Sequence, residues 1–303
     1  MICFPNAKIN LGLHIVSRRP DGYHHIETVF YPIGLCDALE VLPTETVSSL
    51  EAPVMEEEKR DRAGERIVST GKARNIKSPE PYRLFLSGSP LVGKISDNLV
   101  IKAWQRIAAQ KAIPPIDIHL LKKIPSGAGL GGGSSDAVAM LRLLNERFSL
   151  RYSDAQVMEM AAQLGADCPY FLHRRPAFAE GIGNKLTPIA LDLSGYHLLV
   201  VKPQIDISTK EAYALVTPTP PSLSLKEVIA KPITQWKGRL RNDFEPPIFD
   251  RYPQIGAIQR QLYEMGALYA SMSGSGSSVY AFFEQPPTLT GMFQNCFIWT
   301  EAL

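Results

Sequence analysis

The sequence predicts an α+β protein of two domains, and three observations carry that reading. Its 303 residues are enough for two hydrophobic cores. Runs of period two, as in residues 8–16, are mixed with runs at helical spacing, such as Ala137, Met140, Leu141 and Leu144. No regular strand–helix–strand rhythm appears, which disfavours a doubly wound parallel sheet.

In residues 8–16, Ile9, Leu11, Leu13 and Ile15 fall on one face, and Lys8, Asn10, Gly12 and His14 on the other. That is the pattern of a half-buried strand. Pro20-Asp21-Gly22 supplies a turn, because proline presets φ and glycine accepts positive φ. A second strand-like run over 25–33 completes a β-hairpin. Residues 44–82, with the charge run from Glu56 to Arg62, break the pattern and read as a solvated insertion. Order returns with a strand over 82–86, a helix over 98–110 and a strand over 116–124. A glycine-rich run and an amphipathic helix follow. Ser153 with Gln156 forms a capping box for the next helix, which Gly165 ends. The second half reads as a strand over 197–201, a helix opened by a second capping box (Ser208, Glu211), and a helix over 253–265. Two strands joined by a Gly/Ser loop close it within 268–283. The expected domains are 1–155 and 156–303.

Thirty-two Lys and Arg against 30 Asp and Glu leave a formal charge of +2, so no basic field favours a nucleic-acid partner. Cys3, Cys36, Cys168 and Cys296 show no Cys-x-x-Cys spacing, which argues against structural zinc and fits buried thiols in a reducing compartment. No basic-then-apolar leader and no long uncharged apolar stretch is visible, so a cytoplasmic protein without a membrane partner is expected.

The run Pro125-Ser126-Gly127-Ala128-Gly129-Leu130-Gly131-Gly132-Gly133-Ser134-Ser135 lies between a strand and a helix. A helix N-terminus offers unpaired N–H groups and a positive dipole end, and glycines let the backbone approach an anion closely. The two serines add hydroxyls for a phosphate or its magnesium ion. A P-loop would need a lysine where Ser134 stands. The literal G-x-G-x-x-G match of 127–132 lacks a strand-ending acid about twenty residues on, since Asp154 follows Ser153 at a helix start.

A proline, then Gly129-Leu130, then Ser134-Ser135 resembles the signature of the GHMP kinases, the superfamily of galactokinase, homoserine kinase, mevalonate kinase and phosphomevalonate kinase. Five further segments narrow the resemblance to the branch whose alcohol carries a cytidine diphosphate. They are Pro5–Leu11, Arg19–His24, Gly165–Pro169, Phe178–Gly183 and Met272–Gly276. The resemblance implies an N-terminal domain like domain 2 of ribosomal protein S5 and a ferredoxin-like C-terminal domain. It implies ATP and Mg2+ as cofactors, with no protein metal site, and a cytidine diphosphate-linked methylerythritol as the small-molecule partner. Asp167 is then the general base and Lys8 its electrostatic partner, while Asn10 approaches the substrate. Tyr23 and His24 line the cytidine pocket, Tyr213 stacks on the base, and Asn98 approaches the nucleotide. His14 and His25 are expected to be structural. Asn242-Asp243-Phe244-Glu245 also matches a family segment but has no evident physical role. Asp136 is expected to compensate the helix dipole or orient the loop. Two other readings stand beside this one. A kinase of the same type for another alcohol would lack the Tyr23-His24 and Tyr213 elements. A catalytically silent nucleotide- or RNA-binding module is opposed by the near-neutral charge and the Lys8–Asp167 pair.

Overall fold

The computed structural model describes residues 1–44, 81–90 and 95–303. The expected insertion at 44–82 therefore lies almost wholly outside the described residues. The chain opens with β1 (Ile2–Cys3), β2 (Asn6–Arg18), β3 (His24–Cys36) and β4 (Ala38–Pro43). It continues through β5 (Tyr82–Gly88), α1 (Leu99–Ala108), β6 (Ile116–Lys122), α2 (Gly132–Arg147) and α3 (Asp154–Leu164). After a 3-10 turn at Cys168–Leu172 come β7 (Ala177–Glu180), β8 (Lys185–Pro188) and β9 (His197–Lys202). The last part holds α4 (Thr209–Leu215), α5 (Leu225–Ile229), α6 (Glu245–Arg251), α7 (Pro253–Glu264), β10 (Tyr269–Met272), β11 (Val279–Phe283) and β12 (Phe297–Ala302). The mixture is α+β, as the irregular alternation predicts.

These strands form three four-stranded sheets, ordered β1-β4-β6-β5, β2-β3-β7-β8 and β10-β11-β9-β12. The β2–β3 pair is the predicted hairpin, turned at Pro20–Gly22 with Gly22 at φ +87°. It is not half-buried. Lys8 and Asn10 are each 3% exposed, because helix α2, the 3-10 turn and the glycine loop cover the polar face as well. The capping box at Ser153–Gln156 is present. At Ser208 only half of one forms: its hydroxyl accepts from Glu211 N at 3.1 Å. The Glu211 carboxylate instead accepts from Arg251 Nε (2.9 Å) and Tyr252 OH (2.7 Å). All four cysteines are free, but only Cys168 is fully buried, so the expected burial holds for one of them.

Strand β7 pairs with β3, and α3 packs into the same core as α1 and α2. Among the named strands, those up to Pro188 pair only with one another and those from His197 on do likewise, so we propose the domain boundary between them. A second core, with Ile9, Leu11, Leu198, Val200, Trp236, Tyr269 and Tyr280, lies between the hairpin sheet and the C-terminal sheet. It welds the two halves along the site. A third core fills the helical face of the C-terminal sheet.

One buried ionic cluster fixes the loop that precedes α2. Along β6, Ile116, Ile118, Leu120 and Lys122 point inward, which brings an ammonium into the core. Lys122 Nζ meets Asp136 Oδ2 at 2.6 Å and also contacts Asp37. The Asp37 carboxylate further accepts from Lys123 N (2.6 Å) and Ile124 N (2.8 Å), pinning the entry to the glycine loop. Asp136 thus orients the loop through Lys122. Burial pushes the Asp136 carboxyl up to about 7, against the pull of Lys122, with the nearby Asp37 carboxylate adding to the rise. Burial alone would lower Lys122, but the two carboxylates outweigh it and hold it above the ordinary lysine value.

A raised folded-state value means that the folded protein binds more protons than the unfolded chain between about pH 4 and 7, so stability falls as pH rises across that window. Asp136→Asn keeps the shape and removes the titration. Its unfolding free energy relative to wild type, measured in urea, is expected to improve from pH 4.5 to 7.5. A difference that does not change with pH would contradict this account.

Candidate active site

Lys8 leaves β2 on the face covered by the glycine loop. Its Nζ donates to Gly129 O at 3.0 Å, contacts Asn10 Oδ1, and lies 3.5 Å from Asp167 Oδ2. The ammonium also sits 5.1 Å from the centre of the Phe30 ring, within cation–π range. Burial lowers its pKa, and the Asp167 carboxylate opposes that shift. Asp167 occupies the N-cap position of the 3-10 turn but makes no capping hydrogen bond, so its side chain is free to face Lys8. That side chain is 35% exposed, open to an incoming group. Gly183 abuts its other oxygen, where a Cβ would lie 3.8 Å from Oδ1.

Asn10 stands behind the ammonium. Besides the Lys8 contact, its Nδ2 donates to Thr28 Oγ1 (3.0 Å), its N–H to Ser273 Oγ (3.2 Å), and its carbonyl accepts from Tyr280 OH (2.8 Å). Its Oδ1 thus faces the Lys8 ammonium and its Nδ2 faces Thr28.

The loop 125–135 delivers its carbonyls and amides to the same place. Leu130 O accepts from Lys8 N at 3.0 Å, and Ala128 O from Ser278 N at 3.4 Å. Its glycines serve the protein's own packing more than was expected. A Cβ on Gly129, at φ +72°, would lie 1.9 Å from Ser273 O, and one on Gly131 would lie 2.7 Å from Phe171. Gly127 and Gly133 are the open ones, with nothing nearer than 3.7 and 3.8 Å. Helix α2 begins at Gly132, so its first N–H groups, which have no intrahelical partners, lie beside Gly133. Ser135 Oγ is buried there without a protein partner, an unspent donor suited to a phosphate oxygen. Ser134 Oγ borders the Gly165–Cys168 bend, next to Asp167. Asn98 caps α1 through Oδ1, which accepts from Val100 N at 2.9 Å, and the following Leu99 touches the loop beside Gly133.

On the other side of Asp167, the rings of His24 and Tyr213 stack at 4.6 Å and 13°. Phe244 meets Tyr213 edge-on at 5.0 Å. Burial pushes the Tyr213 phenol up to about 12, and the nearby Asp167 charge adds to it. Burial also lowers His24, helped by Arg18. Tyr23 is 60% exposed at the rim. His14 is buried against Asp243 at 3.4 Å, a structural role, whereas His25 is exposed.

Two residues of the family segments noted in the sequence, Ser273 and Asn242, also join this site. Ser273 Oγ donates to Gly129 O at 2.8 Å, the same carbonyl that Lys8 uses. Asn242, 2% exposed, reaches the turn around Ser273. Its partners come from thirty residues downstream, so no local pattern reveals that contact.

The chain is similar to known proteins in both sequence and fold. The chain matches the N-terminal domain of GHMP kinases over residues 98–175 and their C-terminal domain over 226–290. A Methanococcus jannaschii mevalonate kinase shares the fold, with a TM-score of 0.62 at 13% identity, covering 99% of this chain and 97% of that one. The chain belongs to the GHMP kinases. A 4-diphosphocytidyl-2-C-methyl-D-erythritol kinase of Parabacteroides distasonis is 46% identical over the full length of both chains. One from Bacteroides thetaiotaomicron is 49% identical over 95% of this chain and 94% of its own. A crystal structure of 4-(cytidine 5'-diphospho)-2C-methyl-D-erythritol kinase superposes with a TM-score of 0.69 at 30% identity, covering 94% and 91% of the two chains. Within the superfamily, the chain is a member of this 4-diphosphocytidyl-2-C-methyl-D-erythritol kinase family.

The two kinds of glycine in the loop are separable by experiment. Gly127→Ala adds only left-handed strain, about 1–2 kcal/mol. Gly129→Ala adds the same strain and drives a methyl into Ser273 O, and it is expected to cost at least ~2 kcal/mol more. Urea unfolding of the two variants checks the ranking; equal losses would contradict the packing role of Gly129.

Proposed function

We propose that the chain transfers the terminal phosphoryl group of ATP to the 2-hydroxyl of 4-diphosphocytidyl-2-C-methyl-D-erythritol, in the methylerythritol phosphate route to isopentenyl diphosphate. The observation that carries this reading is the meeting of Lys8 and Asp167, 3.5 Å apart, against the carbonyl of the loop that opens α2. A hydroxyl oxygen placed beside the pair could reach both groups at hydrogen-bond distance. Asp167 accepts the hydroxyl proton as the oxygen attacks phosphorus. Lys8, fixed by Asn10 and Gly129, offsets the negative charge on the transferring group without reorganising. The phosphates lie over the open glycines, held by the first N–H groups of α2 and the Ser135 hydroxyl. Positioning and charge compensation are what phosphoryl transfer chiefly needs.

Among the described residues no three His, Cys, Asp or Glu side chains cluster, so Mg2+ fits here as an ion held mainly by the nucleotide's phosphates. The hydroxyls of Ser134 and Ser135 are the protein oxygens at hand, and the ion supplies charge neutralisation on the phosphates. The cytosine belongs at the His24–Tyr213 pair, where a flat aromatic surface is already built. That pair favours the cytidine-linked alcohol over the substrate of another GHMP-type kinase.

ADP release by the purified chain, with and without the cytidine substrate, tests the assignment; no stimulation by that substrate rejects it. Asp167→Asn is expected to lower kcat by about 10²–10⁴-fold, the range for a positioned base, with ATP affinity unchanged within about threefold. Equal loss of both means that Asp167 is structural. Tyr213→Ala is expected to raise the KM for the cytidine substrate by about one to two decades, as for ~1–3 kcal/mol of base stacking. An unaltered KM assigns Tyr213 to packing alone.

A further inference from the structure

The family segment that begins at Asn242 has a physical role in this structure. Arg241 O accepts from Leu13 N (2.8 Å), and Asp243 N donates to Leu13 O (2.9 Å), so Asn242 forms an isolated parallel bridge to Leu13 of β2. Asp243 Oδ2 adds a bond from Ile15 N at 2.8 Å. This fixes the backbone of Asn242, whose side chain then points the other way, toward the β10–β11 turn. Its Nδ2 donates to Met272 O and to Gly274 O, each at 2.8 Å, and its Oδ1 accepts from Phe244 N at 3.0 Å. Two carbonyls, one residue apart on either side of Ser273, thus converge on one nitrogen. An uncharged –NH2 satisfies both; a hydroxyl reaches one and a carboxylate neither.

Ser273 is the residue between those carbonyls. Its Oγ donates to Gly129 O and accepts from Asn10 N, and Gly129 O is the carbonyl that receives Lys8 Nζ. The relay therefore runs from Asn242 to the Ser273 turn, to the Gly129 carbonyl, and to the ammonium beside Asp167. Asn242 and Ser273 are buried, at 2% and 0% exposure, so water cannot substitute for a bond lost at the Ser273 turn.

Building on the phosphoryl-transfer reading above, we propose that Asn242 is a positioning residue for that step: it holds Ser273 so that Gly129 presents its carbonyl to Lys8. Asn242 is linked to the His24–Tyr213 pair through the bond that its Oδ1 accepts from Phe244 N, a bond that Asn242→Asp keeps while it removes the Nδ2 donors. The expected signature is a loss of turnover with little change in recognition of the cytidine substrate.

The experiment compares steady-state kinetics of the full chain as wild type, Asn242→Asp and Asn242→Leu from pH 6 to 8.5. At pH 8, Asn242→Asp is expected to lower kcat by at least ~30-fold, within the range for ångström-scale misplacement, and to leave the KM for the cytidine substrate within about twofold. As pH falls, the introduced carboxyl, facing two carbonyls, gains a proton and recovers one donor, so its kcat relative to wild type rises. Asn242→Leu has no such group, and its ratio stays flat. His14, Asp243, Glu245, Lys8 and Asp167 face the relay in all three proteins, and Asn242→Leu, which removes the amide without adding a carboxyl, is the control for them. A folded Asn242→Asp with kcat within about threefold of wild type overturns the proposal. So does a ratio that ignores pH while kcat tracks only the folded fraction. Should neither variant fold, Ser273→Ala decides: the relay predicts a kcat loss of at least ~10-fold at unchanged KM for the cytidine substrate, and unaltered kcat refutes it. An inactive wild type would instead refute the kinase reading itself.

Discussion

An ammonium removed from water is stable only when its protons find acceptors and its charge finds a counter-charge. Lys8 meets both conditions with groups from three distant parts of the chain. The Asn10 carboxamide comes from its own strand, the Gly129 carbonyl from the loop before α2, and the Asp167 carboxylate from the bend after α3. Any movement of one partner leaves a buried charge short of an acceptor. The hairpin, the loop and the bend are therefore held to one another by the energetic demand of a single side chain, and that same side chain faces the opening beside Asp167.

The glycine loop answers to two requirements at once. At Gly129 and Gly131 it is squeezed between Ser273, Phe171 and Lys8, where no Cβ fits. At Gly127 and Gly133 it faces open space next to the start of α2. Tight packing on one side keeps the amides on the other side from relaxing, which is how a flexible composition yields a rigid cradle. Below it, Lys122 between Asp37 and Asp136 anchors both ends of the loop.

Much of this was legible in the sequence where the signal is local. The opening hairpin, the capping box at Ser153, the helix over 253–264 and the strands around Ser273–Ser278 follow from periodicity and turn chemistry. The burial of Lys8 and Asn10 was not, because a period-two strand shows which residues share a face and not what covers that face. Strand β12 opens on an apolar run without alternation, and β7 and β8 are only four residues each, so neither gives a decisive period-two signal. Lys122 left a readable trace, a charge on the apolar register of Ile116, Ile118 and Leu120. Glu211 shows the reverse: a correct local motif whose second half was taken by Arg251 and Tyr252, forty residues on.

The core between the hairpin sheet and the C-terminal sheet has a mechanical consequence. Ile9, Leu11 and Val29 from the first half interdigitate with Trp236, Tyr269, Tyr280 and Phe282 from the second. Swinging the halves apart like jaws would wet all of these side chains at once. A hinge at that waist would have to open a buried apolar core, so the energetic cost of exposing it opposes separation of the two lobes.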